Sequence, residues 1–179
     1  VFISVDTIHL IAQMVAVIYI FLEMITPWAI LFLSVLFLGI GFVQYHTSRK
    51  LFQSWDGESE EIIDKAEEKL SWGLLLSGLN VVVDFFFFGI GFRVVSIENT
   101  MLEGVWLVSF ILSFVCIVVL QQKIVDLTRE MNPEKQGSIY DSKFHKKWVD
   151  SCDENEQRQM GQAAYKAFRA VNITCVILW

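Results

Sequence analysis

Apolar residues dominate five stretches of the chain, 5–25, 28–45, 71–92, 104–120 and 167–179, while polar residues gather in the intervals 46–70 and 121–166. At about 1.5 Å per residue, a helix of roughly 20 residues matches a hydrocarbon core of about 30 Å, and the first four runs have that length. The pattern predicts an all-α, polytopic membrane bundle of about four complete transmembrane helices plus a truncated fifth, with amphipathic helices on the cytoplasmic side. Thr26-Pro27 is read as a tight break that turns the first two runs into a hairpin. The first run also carries His9, Gln13 and Glu23, which would suit a helix lying in the membrane interface.

Within 46–70, Ile62, Ala66 and Leu70 recur every four residues among charged neighbours, which predicts an amphipathic helix running straight into the third span. The fourth span continues as a polar extension to about Met131. Asn132-Pro133 stops it, because the residue before proline is pushed out of helical geometry, and Gly137 extends the loop. Asp141 is then a plausible N-cap for a helix with Phe144, Trp148 and Cys152 on one face. Asp153 with Glu156 has the spacing of a capping box for the helix that follows. That last helix enters the fifth span near Ala167, of which about a dozen residues remain, too few to cross a bilayer. The chain also starts without Met and without a signal-peptide n-region, so it is expected to be a fragment lacking both natural ends.

Charge orients the bundle. Of the 14 Lys and Arg residues, four lie between Arg49 and Lys69 and nine between Lys123 and Arg169, against one in the short interval Arg93–Glu103 and none at Ile25–Trp28. The positive-inside rule makes both long intervals cytoplasmic and, with the hairpin, places the residue 1 end there too. A hydrophobic share of 54% and a mean hydropathy of +0.49 exceed what a soluble domain of this size holds, so the bilayer is an obligatory partner. The net charge of −6 leaves no basic reading surface for nucleic acid. Cys116, Cys152 and Cys175 lack paired spacing, giving neither a disulfide framework nor a zinc site.

Asp84 is the sharpest candidate for chemistry. It lies about 20 Å into the third span, where a carboxylate costs about 2.5–3.5 kcal/mol and must be protonated, hydrogen-bonded or set in a hydrated cavity. Gly73, Ser77, Asn80 and Asp84 are spaced 4, 3 and 4, so they share one helical face pointing into the bundle. Depth counting from the cytoplasmic ends puts Tyr19, Ser34 and Ser109 at the same level as possible partners of Asp84. The functional reading is a proton or cation relay. The structural reading is interhelical hydrogen bonding. Ser109, Ser113 and Cys116 form a small-residue face suited to close packing. Phe-Leu-Gly39-Ile-Gly41-Phe42 recurs as Phe-Phe-Gly89-Ile-Gly91-Phe92, a weak sign of internal duplication.

On the cytoplasmic side Asp150, Cys152, Asp153, Glu154 and Glu156, with His145 nearby, match no metal-ligand spacing, and capping explains the acids more simply. Lys143, Lys146 and Lys147 with Phe144 and Trp148 fit either an anionic lipid surface or a solvated helix. No Ser-His-Asp, HExxH or P-loop pattern occurs, so no enzyme activity, metal or cofactor is expected.

The run Asn132-Pro133-Glu134-Lys135-Gln136-Gly137-Ser138-Ile139-Tyr140-Asp141-Ser142-Lys143-Phe144-His145-Lys146-Lys147-Trp148, followed by Ser151-Cys152-Asp153-Glu154-Asn155-Glu156 and Ala164-Tyr165-Lys166-Ala167-Phe168, resembles the signature region of a bacterial membrane-protein family, domain of unknown function 3169, found mainly in Gram-positive bacteria. The resemblance implies a multi-pass plasma-membrane protein and no assigned activity. It directs attention to the cytoplasmic segment that holds Asn132, Pro133, Asp141, Phe144, Lys147, Trp148, Asp153 and Glu156. The leading expectation is an accessory, regulatory or immunity-type component that docks a protein partner through those helices. The rival is a small ion- or proton-coupled transporter using Asp84.

Overall fold

The computed structural model describes residues 5–94 and 100–178, and all the regular structure among them is helical. Five helices follow in order: α1 Val5–Gln53, α2 Glu60–Val94, α3 Thr100–Met131, α4 Phe144–Asp150 and α5 Glu154–Leu178. Three of them, over His9–Gln53, Glu60–Phe92 and Met101–Met131, are long and apolar enough to cross a membrane. The predicted Arg93–Glu103 loop lies in part outside the described residues.

The main departure from the sequence pattern is at Thr26-Pro27. No hairpin forms there, and α1 continues through Pro27 as one helix of 49 residues, about 73 Å long. Proline removes one backbone donor and its ring crowds the preceding turn. Thr26 and Pro27 are fully buried against the bundle, which supports the helix on either side of the proline. N-terminal to them the helix is exposed all round from His9 to Phe21.

The chain divides into two compact units, Val1–Leu127 and Thr128–Trp179. In the first, α1 and α2 run antiparallel, because Ser48 donates to the carbonyl of Ala66 at 2.8 Å while Ser34 reaches Asp84, so numbers fall on one helix as they rise on the other. α3 returns antiparallel to α2, with Gln121 donating to Ser77 at 3.1 Å and Trp106 packed on Gly91. The buried apolar side chains Ile30, Leu38, Ala66, Leu70, Ile117, Leu120 and Ile124 line the shared seam.

Glycines set how closely the helices approach. A Cβ on Gly41 would lie 2.8 Å from Leu120 Cδ2 and one on Gly91 2.1 Å from Trp106 Nε1, whereas Gly39 and Gly89 face open space. The second glycine of each Gly-Ile-Gly copy is therefore a socket for a bulky α3 side chain. Above the Trp106 socket, Phe88 stacks on Trp106 at 4.7 Å and on Phe110 at 3.9 Å, closing the interior at that end. Phe85 and Phe86 from the same run are exposed and available to an apolar surround.

In the second unit α3 ends where the Asn132 N–H donates to Thr128 O at 2.8 Å. The segment 132–143 then folds back onto the corner between α4 and α5. Gly137 has φ of +125°, and a Cβ there would meet the Phe144 ring at 2.9 Å, so both backbone and space require glycine. The Gln136 N–H donates to Ser151 Oγ at 3.1 Å, and Gln157 Nε2 donates to Val149 O and Cys152 O at 3.1 and 2.9 Å, closing the α4–α5 corner.

Candidate functional site

The stripe Gly73, Ser77, Asn80 and Asp84 is buried along its whole length, with Asp84 only 1% exposed. Three helices converge on its carboxylate. Ser34 of α1 donates to Oδ1 at 3.0 Å, Asn80 Nδ2 donates to Oδ2 at 3.1 Å, and Ser113 of α3 contacts Oδ2 at 2.5 Å. Asn80 Nδ2 also donates to Ser113 Oγ at 2.8 Å. One turn nearer the α1–α2 connection, Gln121 and Ser77 add a second polar contact between α2 and α3. Asn80 Oδ1 is buried with no partner among the described residues, as are Thr26 Oγ1 and Trp106 Nε1.

The three hydroxyls proposed by depth counting end in different places. Ser34 reaches Asp84. Ser109 is buried one turn from Ser113, on the wall of a cavity between α1 and α3. Tyr19 is 45% exposed on the part of α1 beyond Thr26, 15 residues and about 22 Å along the helix from Ser34. The hydroxyl that completes the cluster is Ser113, which the sequence places on the same face as Ser109. Spans 71–92 and 104–120 contain no Lys, Arg or His, so neutral donors alone meet the carboxylate.

The cavity beside the cluster has a volume of about 200 Å³ and is bounded by Leu31, Leu38, Phe42, Leu112 and Cys116 as well as the three serines. Its lining is almost wholly apolar, because Ser34 and Ser113 turn their hydroxyls to Asp84. The arrangement holds three helices at one level and shields a carboxylate from the surround. Among the described residues no group of three His, Cys, Asp or Glu is placed to hold a metal ion.

In the second unit, Asp153 and Glu156 cap the start of α5 reciprocally. The Glu156 N–H donates to Asp153 Oδ1 at 2.7 Å and the Asp153 N–H to Glu156 Oε2 at 2.9 Å. The same Glu156 oxygen accepts from the Lys135 ammonium, which is only 7% exposed and also lies 3.6 Å from Cys152 Sγ. That hydrogen bond holds the Glu156 carboxyl below its ordinary pKa. Burial by itself would lower the Lys135 ammonium, but Glu156 and Cys152 carry it above its usual value. Nothing local in sequence signals Lys135, since its partner is 21 residues away.

Asp141 is not an N-cap. Lys143 occupies that position at the start of α4 without a side-chain cap, and Asp141 instead accepts from the Lys143 N–H at 2.9 Å and from Lys147 Nζ at 2.5 Å. These bonds form a turn one step before the helix, a common alternative use of an aspartate oxygen. The Phe144 and Trp148 rings lie 5.6 Å apart and tilted by 46°, whereas Cys152 lies past the end of α4. Asn132 and Pro133 open the loop, with Asn132 O accepting from the Lys135 N–H at 3.0 Å.

On α5, Met160, Ala164, Ala167, Val171 and Cys175 follow at intervals of 4, 3, 4 and 4 and are all exposed, with Phe168 beside them. Arg158, Gln162, Lys166 and Arg169 occupy the opposite face. Such a seam of small and apolar residues is the pattern by which one helix packs along another.

A protein-family model described as Protein of unknown function (DUF3169) matches residues 2–179. No curated protein and no solved structure matches the chain.

Proposed function

The chain belongs to the DUF3169 family of unknown function, and we propose that it is a multi-pass protein of the bacterial plasma membrane that serves as an accessory or regulatory component, docking a partner protein on the cytoplasmic side. The bare seam of α5 carries this reading. Unit 128–179 is braced internally by the Lys135–Glu156 pair, the Asp153–Glu156 cap and the Gly137–Phe144 contact, and within it α5 is exposed on every face from Gln157 to Ile177, the seam included. The occupant is a helix of another protein. The narrow 4-3 spacing and the alanines at 164 and 167 suit close helix approach, and the basic residues stand away from the seam.

The distribution of Lys and Arg supports placing 46–70 and 121–166 in the cytoplasm. A continuous α1 crossing once changes one part of that topology: the residue 1 end then lies outside.

A photo-crosslinking amino acid at position 164, in the intact protein in native membranes, tests the docking reading. The expected product is an adduct to one partner protein that disappears with a crosslinker at 162 on the polar face and with Ala167→Glu. Adducts only to lipid, only to a second copy of this chain, or equal from 162 and 164 would refute it.

A second reading, a small ion-coupled carrier using Asp84, is favoured by the burial of a carboxylate without a cationic side chain in its span. Asp84→Asn should then abolish solute flux while leaving insertion and amount unchanged.

A further inference from the structure

Three oxygen-bearing groups meet at Asp84 in an arrangement that suits an ion. Asn80 Nδ2 sits 2.8 Å from Ser113 Oγ and 3.1 Å from Asp84 Oδ2, and those two oxygens are 2.5 Å apart. The other end of the same amide, Asn80 Oδ1, is buried with no partner among the described residues. Rotating the amide half a turn would bring Oδ1 to where Nδ2 now stands. A carboxylate oxygen, an amide oxygen and a hydroxyl oxygen would then ring the point filled by the amide hydrogens, with Ser34 still holding the second carboxylate oxygen at 3.0 Å. In the present rotamer an amide N–H₂ supplies the positive end; in the rotated one a cation is needed for that task.

We infer that the Asn80–Asp84–Ser113 cluster is a binding site for a small monovalent cation of the size of Na⁺, with the Asn80 amide rotating between the empty and loaded states. Charge selects the valence. One carboxylate and no other ionised group in 71–92 or 104–120 means that a single positive charge leaves the buried site neutral, and net neutrality is what a low-dielectric interior requires. A divalent ion would leave an uncompensated charge there. Size follows from the closeness of the three corners, Asp84 Oδ2, Ser113 Oγ and the Asn80 amide, which lie 2.5 to 3.1 Å apart: they must spread to admit any cation between them, and further for K⁺ than for Na⁺. Oxygen donors are the ligands that hard cations take. Access differs at the two ends. Phe88, Trp106 and Phe110 are stacked over one side, while Ser77 and Gln121 continue the polar line on the other. The ion therefore enters from the Gln121 end. The inference stands apart from the docking reading, which concerns α5 alone.

The test is the thermal midpoint of the intact protein in lipid nanodiscs, in NaCl, KCl and choline chloride at equal ionic strength. Na⁺ should raise the midpoint by about 5 °C over choline and go on raising it with the logarithm of its concentration, with K⁺ clearly weaker, because a ligand at concentration c bound only by the folded state stabilises it by RT ln(1 + c/Kd). Asp84→Asn should erase the difference. Asn80→Asp, which replaces the rotating amide with a second carboxylate, should enlarge the cation dependence and extend it to divalent ions. A wild-type midpoint that is the same in all three salts overturns the site, and this arm does not depend on any variant folding. So does a midpoint that responds to acid but not to Na⁺, which would make Asp84 a proton site.

Discussion

Among the described residues each unit buries one acidic or basic side chain, and the two are satisfied in opposite ways. Asp84 in the three-helix bundle is met by neutral donors, Ser34, Asn80 and Ser113, one from each helix. Lys135 in the second unit is met by an opposite charge, Glu156, itself 42% exposed. The difference follows from the medium. In an apolar surround an extra charged side chain must be desolvated in full, and that cost can exceed the attraction gained. Hydroxyls and amides supply hydrogen bonds without it. Where one partner touches water, the desolvation is smaller and an ion pair becomes a workable brace.

The comparison breaks most readily at Asp84. Replacement by leucine removes the acceptor of three buried donors at once, two of them on other helices, and interhelical bonds of this kind contribute about 0.6–1.7 kcal/mol each, so Asp84→Leu should destabilise the bundle by about 1–4 kcal/mol. Asp84→Asn keeps an acceptor and should lose about 1 kcal/mol. Reversible unfolding in mixed micelles, followed by circular dichroism, measures both. A leucine variant as stable as the wild type would show that the neutral clamp contributes nothing.

Next in size is the socket that aligns α2 with α3. Gly91→Ala drives a methyl into the Trp106 indole, which is held on its other side by Phe88, and overpacking of that kind costs about 1–3 kcal/mol. Gly89→Ala, two residues earlier with nothing within 4 Å, should be neutral or stabilise by up to about 1 kcal/mol through helix propensity. Similar losses for both in the same unfolding assay would remove the socket.

How much of this could be read from sequence depended on the range of the interaction. The helical class and the buried face of Ser77, Asn80 and Asp84 follow from composition and 3.6-residue periodicity, which are local. The break at Thr26-Pro27 is also a local rule, and it lost because Thr26 and Pro27 are buried against the neighbouring helices, which supports the helix across the one backbone donor that proline removes. Ser109 and Ser113 share a face one turn apart, so depth counting cannot separate them; the register is set by sockets such as Gly91 for Trp106. Asp141 has oxygens that serve a turn as well as a helix start. The burial of Lys135 depends on a fold-back over 21 residues, for which periodicity carries no signal.

The second unit answers to pH where the bundle's brace is an acceptor for neutral groups. Glu156 has a depressed folded-state pKa, so its contribution is present above the unfolded value of about 4.3 and is lost as pH falls through the folded value. Lys135 has a raised one, so its contribution is complete below about 10.4 and is lost as pH climbs through the folded value. Stability of this unit should be flat near neutrality and fall at both extremes. Glu156→Gln should remove the acid limb and, with the exposure of Glu156 discounted, cost about 1 kcal/mol. Hydrogen exchange at the first turn of α5 against pH reads this; a profile unchanged by Glu156→Gln would mean that the pair does not brace the unit.

The smallest effect on stability is expected where the proposed function lies. Phe168 is 65% exposed on α5, so Phe168→Ala removes little buried area and should shift unfolding by less than about 0.5 kcal/mol. If a partner helix covers the seam, however, the same aromatic is desolvated on docking, and truncating such an anchor characteristically costs more than about 1 kcal/mol of binding. The variant should therefore weaken crosslinking from position 164 about fivefold or more while the hydrogen exchange of α5 in the isolated protein stays unchanged. Loss of both together would mean that Phe168 supports the fold, and loss of neither would mean that the seam is not what the partner reads.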